Sequence, residues 1–225
     1  MAPMRRGPLR PGARTGPLLV VGALVGVLAG LGISVGVVAG IVTGVRAAAD
    51  QVASAPRRPS AHATVTEAME ILTGAVQRRR HIVTRRGPDF GPMYTHAYWS
   101  VRRGDTVVLR ITSYDDGPAP LTGAQMAYDT VRGTLGGVEE VDGKAVTHMA
   151  NTDVAHTFTV PALRLNLPIP AAPTGGTVTV VARFVASRAG SFLWQCYAPC
   201  GSGTGSMGGP MATTGWMEGR VQVLP

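Results

Sequence analysis

The chain has 225 residues, 45% of them hydrophobic, with 30 glycines, 17 prolines, two cysteines and a formal net charge of +8. This length predicts one folded domain plus accessory segments, and the abundance of glycine and proline favours strands and turns over long helices. The basic residues are not gathered into one stripe, so we predict no nucleic-acid binding.

A basic tail, residues 1–14, precedes residues 15–45, which contain no charged residue. The uncharged stretch exceeds the ~20 residues that a membrane-spanning helix needs. The arginines of the tail place the N-terminus in the cytoplasm by the positive-inside rule. We therefore predict a single-pass anchor in the cell membrane, with everything after Arg46 outside the cytoplasm.

The predicted membrane helix is rich in glycine. Gly22, Gly26 and Gly30 recur every four residues, and this spacing allows two helices to pack closely. Self-association through the helix is one interpretation, and the general frequency of glycine in membrane helices is the other. A cleaved signal peptide is the alternative to an anchor, but the apolar stretch is longer than a usual signal and lies far upstream of Ala53-Ser54-Ala55.

Between the anchor and the strands described next, the chain changes composition twice. Small residues and prolines make residues 46–60 a predicted linker. Within residues 61–93, apolar residues recur at helical spacing, at Val65, Met69, Leu72 and Val76. This spacing predicts a short amphipathic helix over 61–80, followed by a loop.

From residue 94 onwards the pattern is that of short strands separated by turns. Two strands flank the Arg103-Gly104-Asp105 turn, and a hairpin turning at Asp142-Gly143 lies inside an insertion near residues 117–150. The four prolines of residues 161–176 predict a loop. Further strands are predicted at residues 156–160, 177–185, 191–196 and 220–224. The pattern predicts an all-β fold, a β-sandwich over residues 94–225.

The two cysteines of the chain, Cys196 and Cys200, follow a predicted strand and begin a glycine-rich loop. Outside the cytoplasm two cysteines can oxidise to a disulfide, whereas their thiolates can also bind a soft metal ion. Three methionines follow before the last strand, at Met207, Met211 and Met217. Their thioethers are ligands that Cu(I) favours.

Four segments together resemble the cupredoxin family: GDTVVLRITSYD, DVAHTFTVP, FLWQCYAPCG and GWMEGRVQV. Within that family, the C-x-x-x-C spacing is similar to the dinuclear (CuA-type) copper domain of cytochrome c oxidase subunit II and of nitrous-oxide reductase. The resemblance covers about residues 94–225. It implies a Greek-key β-sandwich in which copper is held by His156, Cys196, Cys200 and Met217, the last as a weak axial ligand.

The chain departs from the family pattern at the second histidine. Counting from the neighbouring ligands places that histidine at Thr204 or Thr214, and the loop between Cys200 and Met217 is longer than in the family. Met207, Met211 and His148 are therefore alternative ligands, with His96 a further source of an imidazole. One membrane helix is predicted where the oxidase subunit has two, which argues against a regular oxidase subunit.

Three interpretations of the cysteine loop follow. In the first, an altered mono- or dinuclear copper site carries electrons. In the second, Cys196 and Cys200 form a disulfide that staples the loop of a metal-free interaction or scaffold domain. In the third, soft sulfur ligands hold Cu(I) for storage or delivery.

We favour the electron carrier, a membrane-anchored extracytoplasmic protein linked to a respiratory chain. The resemblance implies a redox partner such as a cytochrome or an oxidase. No Ser-His-Asp arrangement, phosphate loop or nucleotide fingerprint is recognisable in the sequence. We therefore predict a carrier or binding protein rather than an enzyme.

Overall fold

The computed structural model describes residues 62–225, which form a two-sheet β-sandwich. One sheet has six strands in the order β2-β1-β4-β9-β5-β6, and the other has five in the order β3-β11-β10-β7-β8. The strands are β1 Thr64–Leu72, β2 Met93–Tyr94, β3 Tyr98–Arg102, β4 Thr106–Ser113, β5 Glu139–Val141, β6 Lys144–Val146, β7 Val154–Val160, β8 Leu165–Pro170, β9 Val178–Val185, β10 Gly190–Gln195 and β11 Glu218–Leu224.

This architecture confirms the predicted all-β sandwich. Strands β4 and β9 pair antiparallel with alternating buried side chains, as expected where one face of a sheet packs on a core. The hairpin with its turn at Asp142-Gly143 is also present, formed by β5 and β6. The two strands that flank the Arg103-Gly104-Asp105 turn, β3 and β4, belong to different sheets, so this turn carries the chain from one layer to the other.

The helix predicted over residues 61–80 is wrong for most of its length, because Thr64–Leu72 is strand β1. This strand pairs in parallel with β4 from Thr64 to Ile71, and its alternate residues Met69 and Ile71 are buried. Val65 and Met69 are an even number of residues apart, so they can share one face of a strand as well as of a helix. The backbone hydrogen bonds to the long partner strand β4 favour the strand. The sandwich therefore begins at Thr64 rather than at residue 94.

A short helix, α1, does follow this strand, over Gly74–Arg79. The side chain of Thr73 caps it by accepting a hydrogen bond from the Val76 amide at 3.4 Å. Short 3-10 turns make up most of the other helical backbone, at Pro88–Phe90, Gly123–Tyr128, Leu135–Gly137, Pro161–Leu163, Thr204–Ser206 and Gly209–Ala212.

The loop predicted over residues 161–176 is wrong in its middle, where Leu165–Pro170 is strand β8. This strand lies at the edge of its sheet, where β7 is its one neighbouring strand among the described residues and Asn166 alone forms an isolated bridge to Arg132. Proline is tolerated at an edge because no second neighbour needs its missing amide hydrogen. Two of the four prolines, Pro168 and Pro170, are accommodated in this way.

The core between the sheets contains a group of three aromatic residues, Tyr94, Phe158 and Trp194. The Trp194 ring centroid lies 4.9 Å from that of Tyr94 and 5.1 Å from that of Phe158. Both polar groups are satisfied, since the Tyr94 hydroxyl donates to the Thr157 carbonyl and the Trp194 indole donates to the Ala97 carbonyl, each at 3.1 Å. These contacts fix β7 and β10, the two strands that lead to the candidate site.

The predicted membrane anchor, residues 15–45, and the predicted tail and linker lie outside the described residues. Within residues 62–225, none of the helices has the length and apolar character needed to cross a membrane.

Candidate metal centre

His156 lies within β7, next to a shift in the register between β7 and β8. Its side chain is fully buried. The ring Nε2 is 3.0 Å from a carboxylate oxygen of Asp115, which follows β4, whereas the ring Nδ1 is buried and has no hydrogen-bond partner. A buried nitrogen without a partner is costly, so this atom is the free ligand position of the imidazole.

The two cysteines lie where β10 ends and the loop to β11 begins. The Cys196 amide donates to the Met217 carbonyl at 2.9 Å, and its sulfur accepts a hydrogen bond from the Thr157 amide at 3.3 Å. The Cys200 sulfur lies 3.3 Å from the Cys196 sulfur. A disulfide bond is about 2.05 Å long, so both cysteines are free thiols here.

His156, Cys196 and Cys200 together have the dimensions of a metal site. Their ligand atoms all lie within 4.8 Å of one another. Metal–thiolate bonds are about 2.3 Å and metal–imidazole bonds about 2.0 Å long, so the ligands of one ion lie within roughly 4.6 Å of each other. The described residues thus form a β-sandwich that brings a His/Cys/Cys cluster together where β7, β10 and the loop before β11 meet.

The electrostatics of the cluster favour one thiolate. Burial opposes ionisation of Cys196, but the hydrogen bond from Cys200 and the nearby His156 imidazole outweigh it and hold the pKa of the Cys196 thiol well below its usual value. The hydrogen bond to Cys196, together with burial, raises the pKa of the Cys200 thiol well above its usual value. Cys200 therefore remains a thiol that donates to the Cys196 thiolate.

The surroundings of His156 raise the pKa of its imidazole. Burial lowers the pKa of its imidazole, but the hydrogen bond to Asp115 and the proximity of the Cys196 sulfur prevail and raise that pKa to about 9. A metal ion at Nδ1 must displace this proton, and Cys200 must also lose its own to become a ligand. Metal binding therefore releases protons, and its affinity increases with pH through about 9 and beyond, because the pKa of the Cys200 thiol is raised as well.

The methionine placed at the cluster is Met211. Its sulfur lies 3.1 Å from the Cys200 sulfur, and the residue is fully buried. Met217 is also fully buried and contacts the site through its carbonyl group, which accepts from Cys196. Met207 lies further out, where its sulfur accepts a hydrogen bond from the Gln125 side chain at 3.5 Å. The role of Met217 as the axial ligand stays a prediction, as does any role of Met207.

The positions at which a second histidine was expected do not contribute to the cluster. Thr204 is exposed, and the hydroxyl of Thr214 donates to the Glu218 carboxylate at 2.6 Å. The ring of His148 lies 3.2 Å from the Asp129 carboxylate, and its side chain is 55% exposed. Among the described residues, the group that could hold a metal ion therefore contains His156 alone as a source of imidazole.

Asp115 is the functional residue that the sequence reasoning missed. The turn-like pair Asp115-Asp116 predicts only a turn, and the Asp115 carboxylate does accept the Gly117 amide at 3.0 Å. The same side chain also fixes the His156 ring. The available signal is its position two residues beyond β4, the strand of the GDTVVLRITSYD motif. That signal is weak, because the end of β4 comes close to His156 only once the sandwich has formed.

Comparison with known proteins adds a likeness to solved structures. No protein-family profile matches the chain, and no curated protein matches it by sequence. Among solved structures, the copper protein rusticyanin is similar over 80% of this chain and 94% of its own, at 10% sequence identity and a TM-score of 0.33. At this level of similarity, the functional proposal depends on the cluster itself.

Replacement of Asp115 by asparagine is expected to lower metal affinity by about 10- to 100-fold, the effect of losing an outer partner of a metal-binding histidine. The Asp115 carboxylate accepts a hydrogen bond from Nε2–H of His156 and so leaves Nδ1 to face the metal. Competition with a chromophoric copper chelator measures this affinity. Asp116→Asn, an exposed neighbour, is the matched control. An unchanged affinity in Asp115→Asn would show that the carboxylate does not orient the ligand.

Proposed function

We propose that this protein binds copper through His156, Cys196 and Cys200 and transfers electrons. The observation that carries the proposal is the unpartnered buried Nδ1 of His156 beside two free thiols. Thiolate and imidazole together suit copper, and a distant thioether tunes its reduction potential. Copper, when bound, supplies reversible one-electron chemistry between Cu(I) and Cu(II).

The finer assignment is a cupredoxin-like protein of the CuA type. The sequence motifs support it, as does the arrangement of the ligands, which come from β7 and from the loop between β10 and β11. The single histidine of the cluster separates this chain from the family pattern. The C-x-x-x-C pair matches the two cysteines of that pattern, and the cluster formed by the described residues holds no second imidazole.

The residues around the cluster hold it in one geometry. Cys196 is fixed by the Thr157 amide at its sulfur and by the Met217 carbonyl at its own amide, and His156 is fixed by Asp115. His156 and Cys196 are both fully buried, so bulk water does not reorganise around them during electron transfer. A rigid and dry set of ligands favours rapid transfer.

We further propose that residues 15–45 anchor this domain on the outer side of the cell membrane, where it exchanges electrons with a respiratory partner such as a cytochrome or an oxidase. The uncharged stretch and the arginines before it support the anchor and its orientation. No enzymatic turnover is proposed, because the cluster offers ligands rather than an open acid–base pair.

A second candidate function is Cu(I) storage or delivery, favoured by the Met211 sulfur 3.1 Å from Cys200. Three sulfur atoms in one cluster suit Cu(I) more than Cu(II). The metal-free alternative requires a disulfide between Cys196 and Cys200, whose sulfurs are near each other but not bonded.

Copper loading of the reduced full-length protein, followed by voltammetry, separates these functions. The electron carrier predicts stoichiometric copper, strong thiolate-to-copper absorption bands and a reversible one-electron wave. Stoichiometric colourless copper without a reversible wave would instead establish Cu(I) storage. If the protein retains no copper and Cys196 and Cys200 are oxidised to a disulfide, the metal-free interaction or scaffold domain is the correct interpretation.

A further inference from the structure

A cavity of about 320 Å³ lies beside the edge strand β8, away from the ligand atoms of the metal cluster. It is lined by Tyr128, Arg132, Thr159, Pro161, Arg164, Leu165 and Asn166. This volume falls within the range of roughly 300–1,000 Å³ that is usual for small-molecule sites. The lining is mostly apolar and includes one tyrosine and two arginines.

The two arginines reach the cavity because two backbone segments lie against each other. Arg132 and Asn166 exchange both backbone hydrogen bonds, at 2.9 and 3.0 Å. Gly133 allows this approach, since it adopts a φ of +75° and a Cβ atom there would collide with the Arg164 carbonyl. Arg132 and Arg164 are thus held on neighbouring stretches of chain at the same cavity.

Neither guanidinium is neutralised by an acidic side chain within residues 62–225, where the ion pairs involve other residues. Both arginines are exposed to solvent and permanently charged. Arg188 adds a further positive charge nearby by donating to the Ala162 carbonyl at 3.1 Å. An arginine fork matches a carboxylate in shape and charge.

The polar groups at the base of the cavity are already satisfied. The Asn166 amide donates to the carbonyls of Tyr128 and Thr130, at 2.9 and 2.8 Å, and its oxygen accepts from the Thr159 hydroxyl at 2.6 Å. These groups build a fixed wall and leave the arginines as the donors for a ligand. A ligand therefore requires an anionic group for the arginines and an apolar body for Tyr128 and Leu165.

We propose that this cavity binds a small organic carboxylate with an aromatic or aliphatic body. The site is separate from the metal ligands and does not require copper. It is nevertheless connected to the cysteine loop, because the Tyr128 ring stacks on the ring of Tyr197, the residue after Cys196, with centroids 4.4 Å apart and planes 10° apart. The Tyr197 amide also donates to Thr157, whose hydroxyl lies 3.1 Å from that of Thr159.

The test is a titration of the reduced, copper-free full-length protein with phenylacetate, followed by NMR of the backbone amides. We expect saturable shifts around residues 128–132 and 164–166, with a smaller shift at Tyr197. Phenylacetamide, the neutral analogue of the same shape, should bind at least about tenfold more weakly because it lacks the charge that the arginines recognise.

Two variants and one control assign the binding to the arginines. Arg132→Gln and Arg164→Gln should each weaken phenylacetate binding by about tenfold or more, whereas Arg103→Gln, in the β3–β4 turn, should not change it. Absence of saturation, equal binding of acid and amide, or unchanged affinity in both variants would overturn the proposal. If sulfate binds the site as tightly as phenylacetate does, the apolar body of the ligand is not recognised, and the proposal of an organic ligand is overturned.

Discussion

Replacement of Glu139 by glutamine is expected to stabilise the protein by about 3 kcal/mol near pH 7. Glu139 lies on β5, is 1% exposed, and neither of its carboxylate oxygens has a hydrogen-bond partner. Burial raises the pKa of this carboxyl from 4.5 to about 9. Glutamine is a neutral side chain of nearly the same shape, so it retains the packing of the protonated acid and has no proton to lose.

The sign of the effect follows from proton binding in the two states. Between pH 4.5 and about 9 the folded protein keeps the Glu139 proton that the unfolded chain releases. The free energy of unfolding therefore falls by about 1.4 kcal/mol for each pH unit in this range. The contribution of Glu139 to the stability of the parent is greatest below the unfolded pKa and is lost progressively as the pH rises towards the folded pKa.

Denaturant unfolding of the parent and of Glu139→Gln across this pH range measures the effect. The difference in unfolding free energy should be near zero at the acidic end and should grow with pH. Glu140→Gln is the matched control, because Glu140 is the exposed neighbour on the same strand. Parallel stability curves for the parent and Glu139→Gln would contradict a buried protonated carboxyl.

Replacement of His156 by alanine is expected to have the largest effect on copper. It removes the Nδ1 ligand itself, so copper affinity should fall by more than the roughly 10- to 100-fold expected for an outer partner such as Asp115. His148→Ala is the control, because the His148 ring pairs with Asp129 and is largely exposed. Circular dichroism at equal temperature shows whether each variant is folded.

If the copper affinity of His156→Ala stays within twofold of that of the parent, the His156 imidazole is not a copper ligand. A loss of affinity in His148→Ala of the same size as in His156→Ala would show that His148 supplies an imidazole after a rearrangement of the loop. The structure predicts that His156→Ala loses copper affinity and that His148→Ala does not.

The sequence predicts the strands that alternate or form short apolar stretches bounded by turns, and the site residues that lie on them or at their ends. Cys196 follows β10, whose buried and exposed residues alternate, whereas His156 lies on β7, a short apolar strand that is buried along its whole length. Strand β1 is mistaken for a helix because its first half is largely exposed and its pairing with β4 spans more than 40 residues of chain. Strand β8 is masked by its prolines, which only its edge position permits.

The path of the loop after Cys200 could not be predicted from spacing. The loop folds back on itself at Gly201, where a Cβ atom would collide with the Gly208 carbonyl and the Met211 side chain. That close approach brings Met211 to the Cys200 sulfur. Counting residues from either end of a loop cannot detect such a contact, and it therefore favoured Met217 or Met207 instead.

X-ray absorption at the copper edge of the loaded protein tests the central claim most directly. Sulfur scatterers near about 2.3 Å and a nitrogen scatterer near about 2.0 Å are the predicted environment, and Cys196→Ser should lose sulfur scattering and the visible charge-transfer bands together. Copper surrounded only by nitrogen and oxygen in the parent, or a spectrum that Cys196→Ser leaves unchanged, would contradict a copper–thiolate centre at His156, Cys196 and Cys200.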